Sequence, residues 1–160
     1  KERVWTVPGW KLKGRRDKKK DHKVPLTDRA IEILKMMPRD NGAYIFPGYR
    51  GKETMSENAL NLTVKEIHQA DIKAGGNGFL DPETGKVATA HGMRAAFKDW
   101  ATEVGNVEDY VSELALSHID TSSTRAAYKR GQLIPKRRKL MKAFEKYLSS
   151  LSRSEKVSKK

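Results

Sequence analysis

Residues 3–37 read RVWTVPGWKLKGRRDKKKDHKVPLTDRAIEILKMM, and the first half of this stretch predicts a β-hairpin. Arg3–Val7 alternates along its length and is rich in β-branched and aromatic residues, which is typical of a strand. Lys23–Leu26 is a second short run of the same kind. The segment between them is basic and centred on Gly14, so we expect it to form the long tip of the hairpin.

The second half of the stretch predicts a helix that follows the hairpin directly. Thr27 suits the N-cap position, and Asp28 has a favourable interaction with the positive end of the helix dipole. Ile31, Leu34 and Met37 then fall on one face at helical spacing.

Further along the chain, apolar periodicity predicts helices over about residues 56–70, 91–104, 107–116, 122–130 and from Pro135 onward, with Ser56 capping the first of them. The expected fold class is therefore mainly α with a small antiparallel β-sheet. We expect residues 1–150 to form one domain and the Ser/Lys-rich residues 151–160 to be a disordered tail.

Charge is concentrated at the two ends of the chain. The net charge is +13 over 160 residues, with +7 in residues 1–25, +11 in residues 125–160 and −5 between them. This distribution favours a polyanionic partner, and nucleic acid is the first candidate.

Composition also excludes some classes of protein. The chain has no cysteine, which excludes disulfides and thiolate metal sites. No apolar run approaches the roughly 20 residues that span a bilayer. The four histidines are scattered and no carboxylate cluster has a recognisable Mg²⁺ spacing, so we expect neither a metal nor a cofactor.

Four polar residues are candidates for chemistry. His91 and Arg94 are three residues apart at a predicted helix start, where a guanidinium could hold a phosphate, although, taken alone, a capping histidine and a surface arginine are the favoured explanation. His118 follows an apolar helix and could simply complement the C-terminus of that helix. Tyr128 could be a core anchor, yet its small and basic neighbours favour a phenolate or a bound phosphate.

Taken together, these residues resemble the catalytic motif of the tyrosine recombinase (phage integrase) family, above all the prophage and pathogenicity-island integrases. The matching segments are TAHGMRAAFKDWA around His91 and Arg94, ELALSHID around His118, and TRAAYKRG around Tyr128. The resemblance extends upstream to WTVP and to VPLT, so it covers nearly the whole chain.

The resemblance implies a fold, a reaction and a partner. The fold would be that of the DNA breaking-rejoining enzymes, and the reaction would be integration or excision of a mobile element in the bacterial cytoplasm, at the nucleoid. Double-stranded DNA at attachment sites would be the substrate, bound by a tetramer of recombinase subunits. The basic residues expected to contact this DNA are Lys11, Arg15, Arg16, Lys18, Lys19, Lys20, Arg125, Lys129 and Arg130.

The resemblance also assigns catalytic roles. Tyr128 would attack the phosphodiester, and Arg94 and His118 would hold its nonbridging oxygens. His91 would exchange a proton with Tyr128 or support the phosphate. Lys13, with Lys11 as the alternative, would protonate the leaving 5′-oxygen. All of these groups except Tyr128 are expected to converge on one basic face.

One family feature has no counterpart in this sequence. The family carries a further arginine, followed closely by an acidic residue, on a helix that precedes the hairpin, and Arg3 is a poor substitute for it. We therefore expect the chain to be a C-terminal piece that lacks the first part of the catalytic domain and is impaired on its own.

Other functions compete with this interpretation. A type IB topoisomerase uses the same tyrosine chemistry to relax supercoils. A basic domain that binds DNA or RNA without catalysis explains the charge but not the spaced motifs, and a ribosome-associated protein explains only the Lys-rich ends.

Overall fold

The structure is a computed structural model that describes residues 2–12, 20–38, 44–48, 54–118 and 131–158, with side chains through residue 151. In chain order its elements are β1 (Val4–Val7), a 3₁₀ turn (Gly9–Lys11), β2 (His22–Pro25), α1 (Asp28–Met36), α2 (Ala59–Lys73), α3 (Ala90–Glu103), α4 (Asp109–Ala115) and α5 (Ile134–Ser158). The described residues are thus mainly helical with a small sheet, as predicted.

The sheet consists of β1 and β2, which pair antiparallel with Val4 opposite Pro25 and Val7 opposite His22. Both strands lie within one residue of their predicted bounds, because alternation and β-branched residues specify them locally. The expected hairpin is therefore confirmed, although residues 13–19 of its tip lie outside the described residues.

Helix α1 begins as the sequence predicts. The hydroxyl of Thr27 accepts a hydrogen bond from the N–H of Ala30 at 3.3 Å, and Thr27 is itself buried. A second acceptor for this helix start comes from α5, where the Glu145 carboxylate accepts from the N–H of Arg29 at 2.7 Å. The carboxylate of Asp28 is bonded to Arg3, which precedes β1.

The fold of the chain comprises two compact units, Lys1–Ile33 with Lys98–Lys160 and Leu34–Phe97. In the first unit, α5 packs against β2 and against α4. The ring of Trp100 lies 4.8 Å from that of Phe144 and 5.6 Å from that of Tyr147, measured between centroids. The buried apolar residues of this unit include Trp100, Ala101, Val111 and Leu140.

The second unit contains α2 and the loop that follows it. His68 is buried on α2, and its Nδ1 accepts a hydrogen bond from the N–H of Phe79 at 2.9 Å. Gly78 has φ +70°, and a Cβ at this position would lie 2.4 Å from the His68 ring. Glycine is therefore needed for the loop to return over the imidazole.

The predicted start of α2 was wrong. Ser56 was expected to be its cap, but the helix begins at Ala59, and Ser56 contributes only its backbone carbonyl, which accepts from the N–H of Ala59 at 3.1 Å. Asn58 occupies the cap position without a side-chain hydrogen bond to the helix.

Helix α5 runs through Ser158, beyond residue 150, after which the sequence predicts a disordered tail. The division of the chain into a domain and a tail at that residue stays a prediction. None of the helices in the described part of the chain combines the length and the apolar character needed to cross a membrane.

Candidate functional site

His91 and Arg94 lie in the first turns of α3, and both are exposed. Two side chains hold the start of this helix. The hydroxyl of Thr89 accepts from the N–H of Gly92 at 3.0 Å, and the Asn61 carbonyl on α2 accepts from the first N–H of the helix at 3.0 Å. The candidate donors therefore sit near the positive end of a helix dipole, which favours a bound anion.

His118 stands immediately after the C-terminus of α4. The helix ends in a Schellman motif, in which the N–H of Ser117 donates to the carbonyl of Leu114 and the N–H of His118 donates to the carbonyl of Glu113. Ser117 has φ +59°, the left-handed conformation that this motif requires. The motif brings the side chains of Glu113 and His118 next to each other.

The Glu113 carboxylate links His118 to a buried part of the first unit. Its Oε2 lies 2.7 Å from Nδ1 of His118, and its Oε1 accepts from Nζ of Lys98 at 2.7 Å. The same ammonium donates to Asp109 Oδ1 at 2.5 Å and to the hydroxyl of Ser112 at 2.8 Å. The lysine thus has three acceptors, of which Ser112 is fully buried.

The charges in this cluster stabilise one another. The hydrogen bond from Lys98 holds the pKa of Glu113 below its usual value, and His118 adds to this effect. Burial alone would lower the pKa of Lys98, but its bonds to Asp109 and Glu113 outweigh burial and raise it. The ion pair of Lys98 and Glu113 is therefore fully charged at neutral pH.

A second set of contacts surrounds the hairpin. The Asp21 carboxylate accepts from the N–H of Gly9 at 3.0 Å and so fixes the 3₁₀ turn beside β2. Lys11 is exposed, with its Nζ 5.1 Å from the centroid of the Trp10 ring, and Trp10 is itself 61% exposed. Lys20 is also exposed. The hairpin therefore presents basic and aromatic groups to solvent in its described part.

Helix α5 covers β2 with a buried arginine. Nη2 of Arg137 donates to Nε2 of His22 at 3.2 Å, and Nη1 donates to the carbonyl of Gln132 at 3.4 Å. Arg137 is only 1% exposed. Burial, followed by the charge of Arg137, lowers the pKa of His22, and burial lowers that of Arg137. His22 therefore acts as a neutral acceptor here.

Several predicted site residues lie outside the described residues. These are Lys13, Arg15, Arg16, Lys18, Lys19, Arg125, Tyr128, Lys129 and Arg130. His118 belongs to the first unit, whereas His91 and Arg94 belong to the second. The predicted convergence of the candidate groups on one basic face therefore stays a prediction.

Two residues beside the candidate site, Glu113 and Lys98, were not predicted from the sequence. The spacing of Glu113 and His118 in the sequence could have predicted their contact. In a Schellman motif, the third residue from the end of the helix lies close to the second residue after the C-cap. Among the described residues, no group of three or more histidines or acids could hold a metal ion.

Comparison with known proteins identifies similar integrases. Prophage integrase IntA of Escherichia coli (strain K12) is 31% identical over 140 residues, which are 86% of this chain and 29% of the relative. The integrase of Shigella phage Sf6 and prophage integrase IntS of Escherichia coli (strain K12) are each 27% identical over 150 residues, 91% of this chain and 34% of the relative.

The chain thus spans about a third of the length of the curated relatives it matches. No family model matches the chain, and no solved structure matches it. The matching relatives are integrases at 27–31% identity over most of the chain, and they support its assignment to the integrase family.

Proposed function

We propose that the chain is the catalytic part of a tyrosine-type site-specific recombinase, which integrates and excises a mobile DNA element through Tyr128. The observation that carries this proposal is the similarity to three integrases. A continuous match to 86–91% of 160 residues must include residues 91–128, the stretch that holds four of the five catalytic candidates.

In the proposed reaction, the phenolic oxygen of Tyr128 attacks a DNA phosphorus and loses its proton. A bond forms between this oxygen and phosphorus, and the bond from phosphorus to the 5′-oxygen breaks. Lys13 gives the leaving oxygen a proton, with Lys11 as the alternative. The 3′-phosphotyrosyl bond keeps the energy of the phosphodiester, so the 5′-hydroxyl of another strand can displace the tyrosine without a nucleotide cofactor.

Fixed cationic donors stabilise the transition state, because negative charge builds up on the nonbridging oxygens of the phosphate. Arg94 offers a planar set of donors that suits two of these oxygens. His118 donates to the same phosphate, and His91 exchanges a proton with Tyr128 or supports the phosphate. The contact between His118 and Glu113 at 2.7 Å supports this role, since it gives the imidazole a fixed direction.

Double-stranded DNA at attachment sites is the proposed substrate, with four recombinase subunits assembled on it. The charge distribution supports this substrate. The positive charge that DNA would attract is concentrated at the two ends of the chain, whereas the middle is acidic. Of the predicted DNA contacts, Lys11 and Lys20 are described, and both are exposed.

A nicked DNA duplex tests the proposal. After cleavage, the short 5′-hydroxyl fragment diffuses away, so the covalent protein–DNA adduct accumulates and is detected on a denaturing gel. Protein produced from the complete reading frame should form the adduct, and Tyr128→Phe should abolish it because phenylalanine has no hydroxyl. Tyr44→Phe is the matched control, since Tyr44 is an exposed tyrosine far along the chain from the motif.

The same assay distinguishes the alternatives. A basic binding domain would bind the duplex and give no adduct with either variant. Type IB topoisomerase activity would give the Tyr128-dependent adduct, relax supercoiled plasmid, and fail to recombine two paired sites. Adduct formation by Tyr128→Phe would contradict the assignment of the nucleophile, and Tyr110 and Tyr147 would then be tested.

A further inference from the structure

We propose that Glu113 is a positioning residue, which holds Nδ1 of His118 so that Nε2 of the doubly protonated ring donates to the substrate phosphate. This inference rests on the proposed function and gives a role to Glu113, which lies in the segment ELALSHID but is not among the catalytic candidates. Lys98 and Asp109 complete the arrangement by fixing the carboxylate from its other side.

The backbone sets the distance between Glu113 and His118. Because the Schellman motif fixes the turn at Ser117, the two side chains start from defined positions. The 2.7 Å contact between Oε2 and Nδ1 therefore follows from the way α4 ends. A glutamate elsewhere on this helix would not reach the ring from the same direction.

The carboxylate is held firmly at its other oxygen. Oε1 of Glu113 is bonded to Nζ of Lys98, whose side chain is 24% exposed and which also bonds Asp109 and Ser112. Glu113 cannot rotate toward solvent without breaking this bond. Its rotamer, and with it the plane of the His118 ring, is therefore restricted before any DNA binds.

The arrangement also matches the charge that the reaction needs. When Nδ1–H donates to Glu113, Nε2 donates to a phosphate oxygen only if both ring nitrogens carry protons. The charged groups linked to His118 include Glu113 directly and, through it, Lys98 and Asp109.

A purely structural role gives a different expectation. The side chains of His118 and Glu113 are 51% and 33% exposed, and ion pairs in such positions contribute little to folding stability. If Glu113 positions His118, replacing Glu113 should slow DNA cleavage only in protein that still contains His118. The two roles are therefore separated by a double-mutant cycle.

The cycle measures single-turnover cleavage of the nicked duplex by Glu113→Gln, His118→Ala and the double variant, with thermal unfolding of each. Glu113→Gln should slow cleavage by about 10- to 100-fold, the range seen when a group that orients a metal-bound histidine is removed. In the His118→Ala background, the same change should alter the rate by less than about twofold. Glu103→Gln, an exposed change at the end of α3, should leave the rate unchanged.

The pH profile provides a second readout. Replacing the carboxylate of Glu113 by a neutral amide removes a charge next to His118, so the pH dependence of cleavage should differ from that of the parent protein. A variant that merely loosens the fold would keep the parent profile at a lower amplitude. Equal losses in both backgrounds of the cycle, or an unshifted profile, would overturn the inference while the Tyr128-dependent adduct upholds the proposed function.

A third readout does not depend on catalysis and covers the case in which a variant fails to fold. Nitrogen NMR of the histidine rings in the parent protein should show a proton on Nδ1 of His118 near neutral pH. A ring protonated only on Nε2 would contradict the donor role of Nδ1, whatever the cleavage assays give.

Discussion

The side chain of Gln132 accepts a hydrogen bond from the backbone N–H of Lys23 at 2.8 Å, although 109 residues separate the two in the sequence. The same amide donates to the carbonyl of Asp21, so it bonds two backbone groups of the hairpin at once. Gln132 also lies four residues after Tyr128 in the sequence. The residue that follows the proposed nucleophile segment is thus tied to the hairpin that carries the proposed general acid.

Gln132→Ala should lower the free energy of unfolding by about 1–2 kcal/mol, because each hydrogen bond that is removed typically contributes about 1 kcal/mol. Urea denaturation measures the decrease, and faster hydrogen exchange at the Lys23 amide would locate it. Gln69→Ala, at an exposed position on α2, is the control and should be nearly neutral. Equal effects of the two changes would show that the bonds of Gln132 do not stabilise the hairpin.

The contact between His22 and Arg137 predicts that stability falls in mild acid. Burial and the nearby guanidinium lower the pKa of His22 in the folded protein, so the unfolded chain binds a proton first as the pH drops below about 6.5. The free energy of unfolding should therefore decrease from about pH 7 down to the lowered pKa, with no contribution from His22 above that range.

Urea titrations across this pH range test the effect. His22→Gln keeps a hydrogen-bond acceptor for Arg137 but does not titrate, so its stability should vary less with pH than that of the parent protein. Parallel curves for the two proteins would assign the acid sensitivity to other groups.

Substitution of Ser117 by glycine and by valine should change stability in opposite directions. The φ of +59° at this position disfavours residues with a branched side chain. Ser117→Gly should raise stability by up to about 1 kcal/mol, since glycine adopts this conformation without steric cost. Ser117→Val should lower it by about 1–3 kcal/mol. Thermal denaturation distinguishes the two, and a stabilising valine would contradict the Schellman ending of α4.

DNA binding should weaken steeply with salt, because the basic ends release counterions from the DNA backbone. Changing Lys18, Lys19 and Lys20 to glutamine should reduce the slope of log affinity against log salt by about one for each lysine that binds a phosphate. The reduction in affinity should be similar for specific and unrelated duplexes, as expected for lysines that bind phosphates rather than bases.

The matched control for this prediction removes the same charge elsewhere. Lys35, Lys65 and Lys73 are exposed lysines on α1 and α2, in the acidic middle of the sequence, and their replacement by glutamine should change the slope little. Weaker binding of only one DNA sequence by the hairpin variant would instead mean that these lysines contact bases.

Local features of the fold could be predicted from the sequence. The strands and the cap of α1 were confirmed because alternation and the Thr27 hydroxyl act over a few residues. The cap of α2 was misplaced by two residues, since Ser56 is as good a cap in isolation as Asn58 and only the folded chain decides between them.

The side chains that orient the candidate site could not be predicted in the same way. Lys98 and Glu113 lie on different helices, and Gln132 bonds Lys23 of β2, which is 109 residues away in the sequence. No local sequence pattern therefore predicts either contact. The motif residues His91, Arg94 and His118 were selected as candidates by type and spacing. Of the side chains that hold His118 in place, Glu113 could have been identified by its spacing from His118, whereas Lys98 became evident only from the packing of α3 and α4.

The division of the chain has a consequence for its synthesis on the ribosome. The unit that contains the hairpin is discontinuous, because Leu34–Phe97 form the other unit. Its strands are translated first, yet Gln132 and Arg137, which cover them, follow more than 100 residues later. At a translation rate of about 5–20 residues per second, these partners are synthesised on the order of ten seconds after β1 and β2. The continuous unit is fully translated before then, so it can fold first.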